Sequence, residues 1–195
     1  MSSRPHLKTL LLPLALCATV ALSGCITAYR DIDEARLHAA APAKTLPALK
    51  YAVSGSSLLN GHLAIRETFD KQSPFLKTEQ VTAPETPPAD DLYVKATVEN
   101  LPPSIPAGVA AYVSYSTLFL LPFWSTQDGS RVLFDVYRHG AHQKRYEYEL
   151  HRRTFGWIVL TPFIWANAIN HTEHDAFEYA TKQFLADAAP ILSAP

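Results

Sequence analysis

Alternating apolar and polar residues predict β-strands in the middle of the chain. In residues 92–98, apolar side chains occupy every second position, as in a strand with one buried side. Residues 131–151 alternate in the same way on both sides of a polar turn at Gly140. That pattern predicts an antiparallel hairpin with one solvated face. Shorter alternations predict two further strands, at 49–53 and at 75–81.

A helical period replaces the alternation near the C-terminus, over residues 173–188. Thr172 and Asp175 have the spacing of a capping box, which would start the helix, and Pro190 would end it. The apolar stripe of this helix consists of Phe177, Ala180, Thr181, Phe184, Leu185 and Ala188. A weaker pattern, broken by Asn60-Gly61, allows another helix within 58–70.

These elements predict an α+β fold, with a mostly antiparallel sheet of about four to six strands and helices packed on one face. The terminal helix would supply one apolar stripe to the core, and part of the segment 108–124 would supply another. Fifteen prolines against seven glycines suggest stiff connections between the elements.

Two segments, 108–124 and 154–170, contain no Asp, Glu, Lys or Arg. Each has 17 residues, close to the lower limit for a membrane-spanning helix, but both contain proline and polar residues. Three interpretations are open: a core helix and strand that cover the sheet, a surface that faces a groove or a membrane, and true membrane spans. We expect the first of these for both segments.

The first 24 residues have the order of an export signal. A basic start with Arg4 and Lys8 precedes an uncharged apolar stretch at 9–22, which is too short for a comfortable membrane span. The sequence Leu-Ser-Gly-Cys at 22–25 then resembles the lipobox of bacterial lipoproteins. An ordinary cleaved signal with a chance cysteine, or an uncleaved anchor, is the alternative interpretation.

The lipobox resemblance implies cleavage before Cys25, a diacylglycerol thioether on the Cys25 sulfur, and acylation of the new amino group. Ile26 stands where aspartate would favour the inner membrane, so in a Gram-negative host the resemblance favours the outer membrane, at its periplasmic face. We therefore expect a signal peptide at 1–24, a lipidated N-terminus with a flexible tether at 25–47, and a single domain at 48–195. The small, proline-broken stretch at 39–43 is typical of such a tether.

From Tyr115 onward the chain is similar to a loose group of uncharacterised bacterial envelope lipoproteins. The similarity lies in the order of four features: an apolar run that ends in Leu-Pro, a hairpin with a Lys-x-Tyr pattern, an apolar stretch with Trp and Pro, and a helix. That group implies no activity, so it assigns no catalytic residues to this chain.

Composition excludes several classes of function. The net charge of −1 gives no general attraction for nucleic acid. The two cysteines are Cys17, within the predicted signal, and Cys25, so the mature chain would keep no thiol for a disulfide or a thiolate metal site.

Two clusters carry candidate chemistry. His171 and His174 are three residues apart, like metal-binding histidines on a helix, but no spacing supplies a third ligand, and a solvated helix start is the simpler interpretation. A basic cluster around the hairpin would contact anionic lipid or form a solvated strand face. It comprises Arg138, His139, His142, Lys144, Arg145, His151, Arg152 and Arg153.

No Gly-x-Ser-x-Gly elbow or glycine-rich phosphate loop is present, and we expect no catalytic, cofactor or metal residues. The sequence thus predicts a lipid-anchored, non-enzymatic binding or assembly module in the periplasm, with an envelope protein or lipid as partner. Two alternatives stay open. One is a membrane-inserted oligomeric subunit that uses 108–124 or 154–170, and the other is an envelope hydrolase or metal-binding protein.

Overall fold

The computed structural model describes residues 25–57, 60–84, 86–89 and 92–193. The predicted signal peptide at 1–24 lies outside the described residues. The strands are β1 Cys25–Tyr29, β2 Leu46–Gly55, β3 Phe75–Gln80, β4 Leu92–Leu101, β5 Phe123–Arg138 and β6 Ala141–Gly156. The helices are α1 Glu34–Leu37, α2 Gly61–Gln72, α3 Ile105–Ser116, a 3-10 helix at Ile158–Ala168, α4 Glu173–Asp187 and α5 Ala189–Leu192.

The strands form one sheet in the order β1-β6-β5-β4-β2-β3. Strands β1, β6, β5 and β4 are antiparallel neighbours, whereas β2 is parallel to both β3 and β4. The α+β class is therefore confirmed, but the prediction of a mostly antiparallel sheet is wrong, because the sheet is mixed. Residue alternation reports which side of a strand is buried and carries no information on the direction of its neighbour.

Helices α2 and α4 cover one face of the sheet, here called the inner face. Phe69 of α2, Phe134 of β5 and Phe184 of α4 meet at its centre. The Phe134 and Phe184 rings stack with centroids 4.3 Å apart, and Phe69 meets each of them edge-on at 6.2 Å. All six residues of the predicted α4 stripe are buried. The inner face is thus filled by two helices.

The local predictions for the hairpin and the last helix are confirmed. Strands β5 and β6 pair across a two-residue turn in which His139 and Gly140 have φ of 49° and 75°, as hairpin turns of this length require. Thr172 caps α4, and its capping box with Asp175 is present. Pro190 does not end the helical region, because it lies in the first turn of α5.

The structure places residues 25–37 of the predicted flexible tether (25–47) within the fold, so the sheet begins before the predicted domain boundary at 48. Residues Cys25–Tyr29 form the edge strand β1, which pairs with β6, and the Tyr29 amide donates to the His171 carbonyl at 3.1 Å. Tyr29 and Leu37 are both buried. A five-residue edge strand is too short to show a period, and its partner lies far away in sequence.

The two uncharged segments do not cover the sheet, so the expectation of a core helix and strand is also wrong. Segment 108–124 contains most of α3, a turn and the start of β5, and Ser114 is the buried residue of α3. Segment 154–170 contains the end of β6 and the 3-10 helix, which has no buried residue. Over the described ranges, no helix combines the length and the apolar content needed to cross a membrane.

Candidate functional site

Three uncharged segments meet at one end of the sheet, here called the apolar end: residues 25–26, 105–124 and 155–169. Across the sheet, Gly156 lies opposite both Cys25 and Phe123, and a Cβ at Gly156 would lie 2.0 Å from the Phe123 ring. The Ile158 amide donates to the Phe119 carbonyl at 2.9 Å, and Trp157 Nε1 donates to the Leu120 carbonyl at 3.3 Å. The apolar end is therefore one connected structure.

Large apolar side chains are exposed over this end. Among the exposed large hydrophobic residues that the structure describes, all except Leu63 and Leu76 lie in the apolar end. They are Ile105, Val109, Tyr112, Val113, Tyr115, Leu118, Leu120, Leu121, Trp124, Phe155, Val159, Phe163, Ile164, Trp165 and Ile169. Exposed apolar residues in this number are typical of surfaces that contact another protein, a membrane or a ligand.

The turn between α3 and β5 has a strained backbone and exposed leucines. Leu118 and Phe119 have φ of 50° and 61°, a region that non-glycine residues occupy at a steric cost. The Phe119 amide donates to the Ser114 carbonyl at 2.7 Å, and the Ser114 hydroxyl donates to the Leu121 carbonyl at 2.6 Å. The Phe119 ring also packs edge-on against Tyr115. These contacts hold the turn in place with its leucines exposed.

Asn167 of the 3-10 helix fixes Cys25 to the domain. Its Nδ2 donates to the Cys25 carbonyl at 2.9 Å, and its Oδ1 accepts from the Thr27 amide at 2.8 Å. The side-chain amide thus bonds the outer edge of β1 as a neighbouring strand would. Burial raises the pKa of the Cys25 thiol, so an unmodified thiol is a weak nucleophile in the folded domain.

Replacement of Asn167 by alanine is expected to release β1, because two backbone groups lose their partner. Each lost hydrogen bond costs about 1 kcal/mol. Hydrogen exchange should show faster exchange of the Thr27 amide with little change in β4. Asn100→Ala is the matched control, since Asn100 is exposed and its Nδ2 atom lies 3.5 Å from the Ser56 hydroxyl oxygen. Equal exchange of Thr27 in both variants would contradict this role of Asn167.

A buried ion pair lies beside β1. Arg152 Nε donates to Asp128 Oδ2 at 3.0 Å, and the Arg152 Nη2 group contacts the same oxygen. The side chains of Asp128 and Arg152 are only 8% and 19% exposed. Burial, together with the nearby Glu173 carboxylate, raises the pKa of Tyr29 to about 12.

No protein-family model matches this chain, and no curated protein matches it.

The basic hairpin cluster does not form one cationic surface. Arg145 Nε donates to Asp135 Oδ1 at 2.7 Å, and His142 Nε2 lies 3.0 Å from the same atom. Burial would raise the pKa of Asp135, but hydrogen bonds from Arg145 and His142 lower it below its usual value. Arg152 is paired with Asp128, and Arg138 donates to the Ile191 carbonyl at 2.8 Å. Four of the eight members of the cluster are thus engaged within the domain.

The two histidines of the predicted metal alternative have separate partners. His171 Nε2 lies 3.1 Å from a Glu34 carboxylate oxygen. His174 Nε2 lies 3.7 Å from Glu178 and 3.9 Å from Glu67. Thr172 caps the helix between them, so His171 precedes α4. Among the described residues, no group of three or more His, Cys, Asp or Glu side chains could hold a metal ion.

A pocket that is separate from the apolar end lies where the chain before β2 crosses α4. Its volume is about 520 Å³, within the range of small-ligand pockets. Residues 39–42 form one wall, and Leu185 and Ala186 form another. At its edge, Lys182 Nζ lies 3.0 Å from Glu178 and donates to the Leu37 carbonyl. No local pattern in the sequence indicates this pocket, because the small, proline-broken residues at 39–43 are typical of a tether.

Proposed function

We propose that this protein is a lipid-anchored envelope lipoprotein whose domain is a non-enzymatic binding or assembly module, held at the periplasmic face of the outer membrane by acyl chains on Cys25. The observation that carries the proposal is the coincidence of two features at Cys25. The lipobox resemblance ends at this residue, and the residue lies within the apolar end of the fold.

Chain geometry supports this use of Cys25. Cleavage before it would leave its amino group at the start of β1, so the predicted lipid would join the domain without a spacer. Several acyl chains on one residue give stable anchoring, since each buried CH₂ contributes about 0.8 kcal/mol. The exposed surface around this residue would then supply the contact through which the module works.

The first experiment is cell fractionation of Cys25→Ala with mass spectrometry of the mature N-terminus. We expect wild type to be acylated at Cys25 and found in the outer-membrane fraction, and the variant to lack acylation. Cys17→Ala is the matched control, because Cys17 lies in the apolar stretch of the predicted signal and should leave acylation unchanged. An unmodified Cys25 in wild type would refute the proposal.

The same fractionation bears on the membrane-inserted alternative. Carbonate extraction releases a domain that is bound to the membrane only by weak surface contacts and retains one that spans the bilayer. We expect the Cys25→Ala domain to be released. Retention after carbonate treatment would favour the oligomeric, inserted subunit instead.

A further inference from the structure

We propose that the apolar end is itself a membrane-contacting surface, which lies at the boundary between headgroups and acyl chains in the bilayer that carries the lipid on Cys25. This inference rests on the proposed lipid anchor for its orientation. It adds that the protein binds the bilayer through its own side chains, in the manner of a monotopic domain, and not through acyl chains alone.

The predicted lipid lies close to the apolar end. A lipid on Cys25 has its glycerol in the headgroup region, and Cys25 is a paired strand residue that Asn167 bonds in place. With no flexible segment between Cys25 and the sheet, the neighbouring surface must face the same bilayer. Ile26, Phe155 and Trp124 lie directly opposite one another across β1, β6 and β5 at this point.

The surface of the apolar end is uncharged and rich in exposed aromatic rings. Residues 100–127 contain no Asp, Glu, Lys or Arg, and neither do residues 154–170. Exposed tyrosines and tryptophans accompany the aliphatic residues, with Tyr112 at 75%, Trp124 at 63% and Trp165 at 60% exposure. Such amphipathic rings are enriched where protein meets the membrane interface, because one part of each ring is apolar and another can bond to water or headgroups.

A basic residue lies beside the apolar surface. The exposed Arg153 lines a shallow cleft with Ile26, Trp124 and Phe155. An arginine beside an apolar surface can reach lipid phosphates while its neighbours enter the acyl region. Asp128, the first acidic residue after the uncharged stretch, is buried and paired with Arg152, so it would present little negative charge to the headgroups.

The turn between α3 and β5 holds an exposed leucine in a strained backbone. Leu118 and Phe119 occupy left-handed conformations in which glycine would relieve the steric cost. Leu118 is 70% exposed, so its packing within the domain does little to offset the steric cost. A leucine held outward from a rigid turn suits insertion among lipid chains, where its burial is favourable.

The chain provides an internal probe for this contact. Its three tryptophans, Trp124, Trp157 and Trp165, all lie in the apolar end. The test is intrinsic fluorescence of the mature, acylated protein in vesicles of phosphatidylethanolamine and phosphatidylglycerol, made with and without bromine on the acyl chains. We expect a blue shift on binding and a loss of fluorescence with brominated chains. Vesicle-bound, acylated protein whose tryptophans are not quenched would overturn the inference and leave the lipid anchor intact.

A matched pair of variants separates this surface from general hydrophobicity. Leu120 in the apolar end and Leu76 on β3, at the opposite edge of the sheet, are both 65% exposed. In the unacylated Cys25→Ala protein, we expect Leu120→Gln to weaken partition into the same vesicles about tenfold, and Leu76→Gln to leave it unchanged. Equal partition of the two variants would overturn the inference.

A second copy of this chain is the competing occupant of the surface. Mass photometry of the Cys25→Ala protein shows whether two copies of the chain bind each other. A dimer that dissociates when Leu120→Gln is added, in a protein that does not bind vesicles, would overturn the inference. The outcomes also separate the two proposals. Absence of acylation refutes the anchor, whereas vesicle binding by unacylated protein tests the surface alone.

Discussion

Phe134→Ala is expected to lower the free energy of unfolding by about 3–5 kcal/mol, the usual cost of removing a buried phenylalanine. Phe134 is completely buried and touches rings from both helices of the inner face. Its loss would leave a cavity between the sheet, α2 and α4 that rigid backbone elements cannot close. Urea denaturation followed by far-ultraviolet circular dichroism measures the change.

Phe163→Ala is the control for that experiment. Phe163 lies in the 3-10 helix and is 50% exposed, so its truncation should change stability by no more than about 0.5 kcal/mol. If Phe163→Ala destabilised the domain as much as Phe134→Ala, the apolar end would be part of the folding core and not a free surface. The pair therefore tests the division of apolar residues between the core and the apolar end.

Arg152→Met is expected to destabilise the domain by about 3–5 kcal/mol, because it leaves the Asp128 carboxylate buried without its counter-charge. Asp128 Oδ1 has no hydrogen-bond partner among the described residues, and Arg152 contacts the other oxygen, Oδ2, so the Asp128 carboxylate depends on Arg152. Thermal and urea unfolding of the purified variant at neutral pH measure the effect.

The double variant Asp128→Asn/Arg152→Met checks the cause. Removing the carboxylate charge as well should restore much of the lost stability, since no unpaired charge then remains buried. Arg131→Met is the surface control. Arg131 bridges Glu147 and Glu149 at 2.8 and 2.7 Å on the solvated face of the sheet, and exposed pairs contribute little to stability. A double variant no more stable than Arg152→Met would show that the loss comes from packing instead.

With the apolar end at the bilayer, the opposite parts of the domain would face the periplasm. The solvated face of β5 and β6 carries Arg131, Glu147 and Glu149, and the 520 Å³ pocket lies beside α4. A partner protein or a small apolar ligand would meet the module at these places. Pull-down of the acylated protein, with the Cys25→Ala variant as comparison, would separate partners that need membrane attachment from those that do not.

Residues with strong local patterns were predictable. The alternation at 92–98 and 131–151 identified β4 and the β5–β6 hairpin, and the Thr172–Asp175 capping box identified the start of α4. In each case the signal comes from residues within a few positions of one another, which occupy one face of one element. The signal at Cys25 is of the same local kind, and its acylation stays a prediction.

The sequence by itself determined the α+β class and the polar and apolar sides of the central strands, and it predicts Cys25 as the residue that carries a lipid anchor. Only the tertiary structure decided that β2 runs parallel to its neighbours, that Cys25 begins a strand of the sheet, and that both uncharged segments lie outside the core. The physical reason is that the inner face of the sheet can be covered by only some of the apolar segments. Apolar segments have the same composition whether buried or exposed, and here α2 and α4 already cover the inner face, so 108–124 and 154–170 remain at its end.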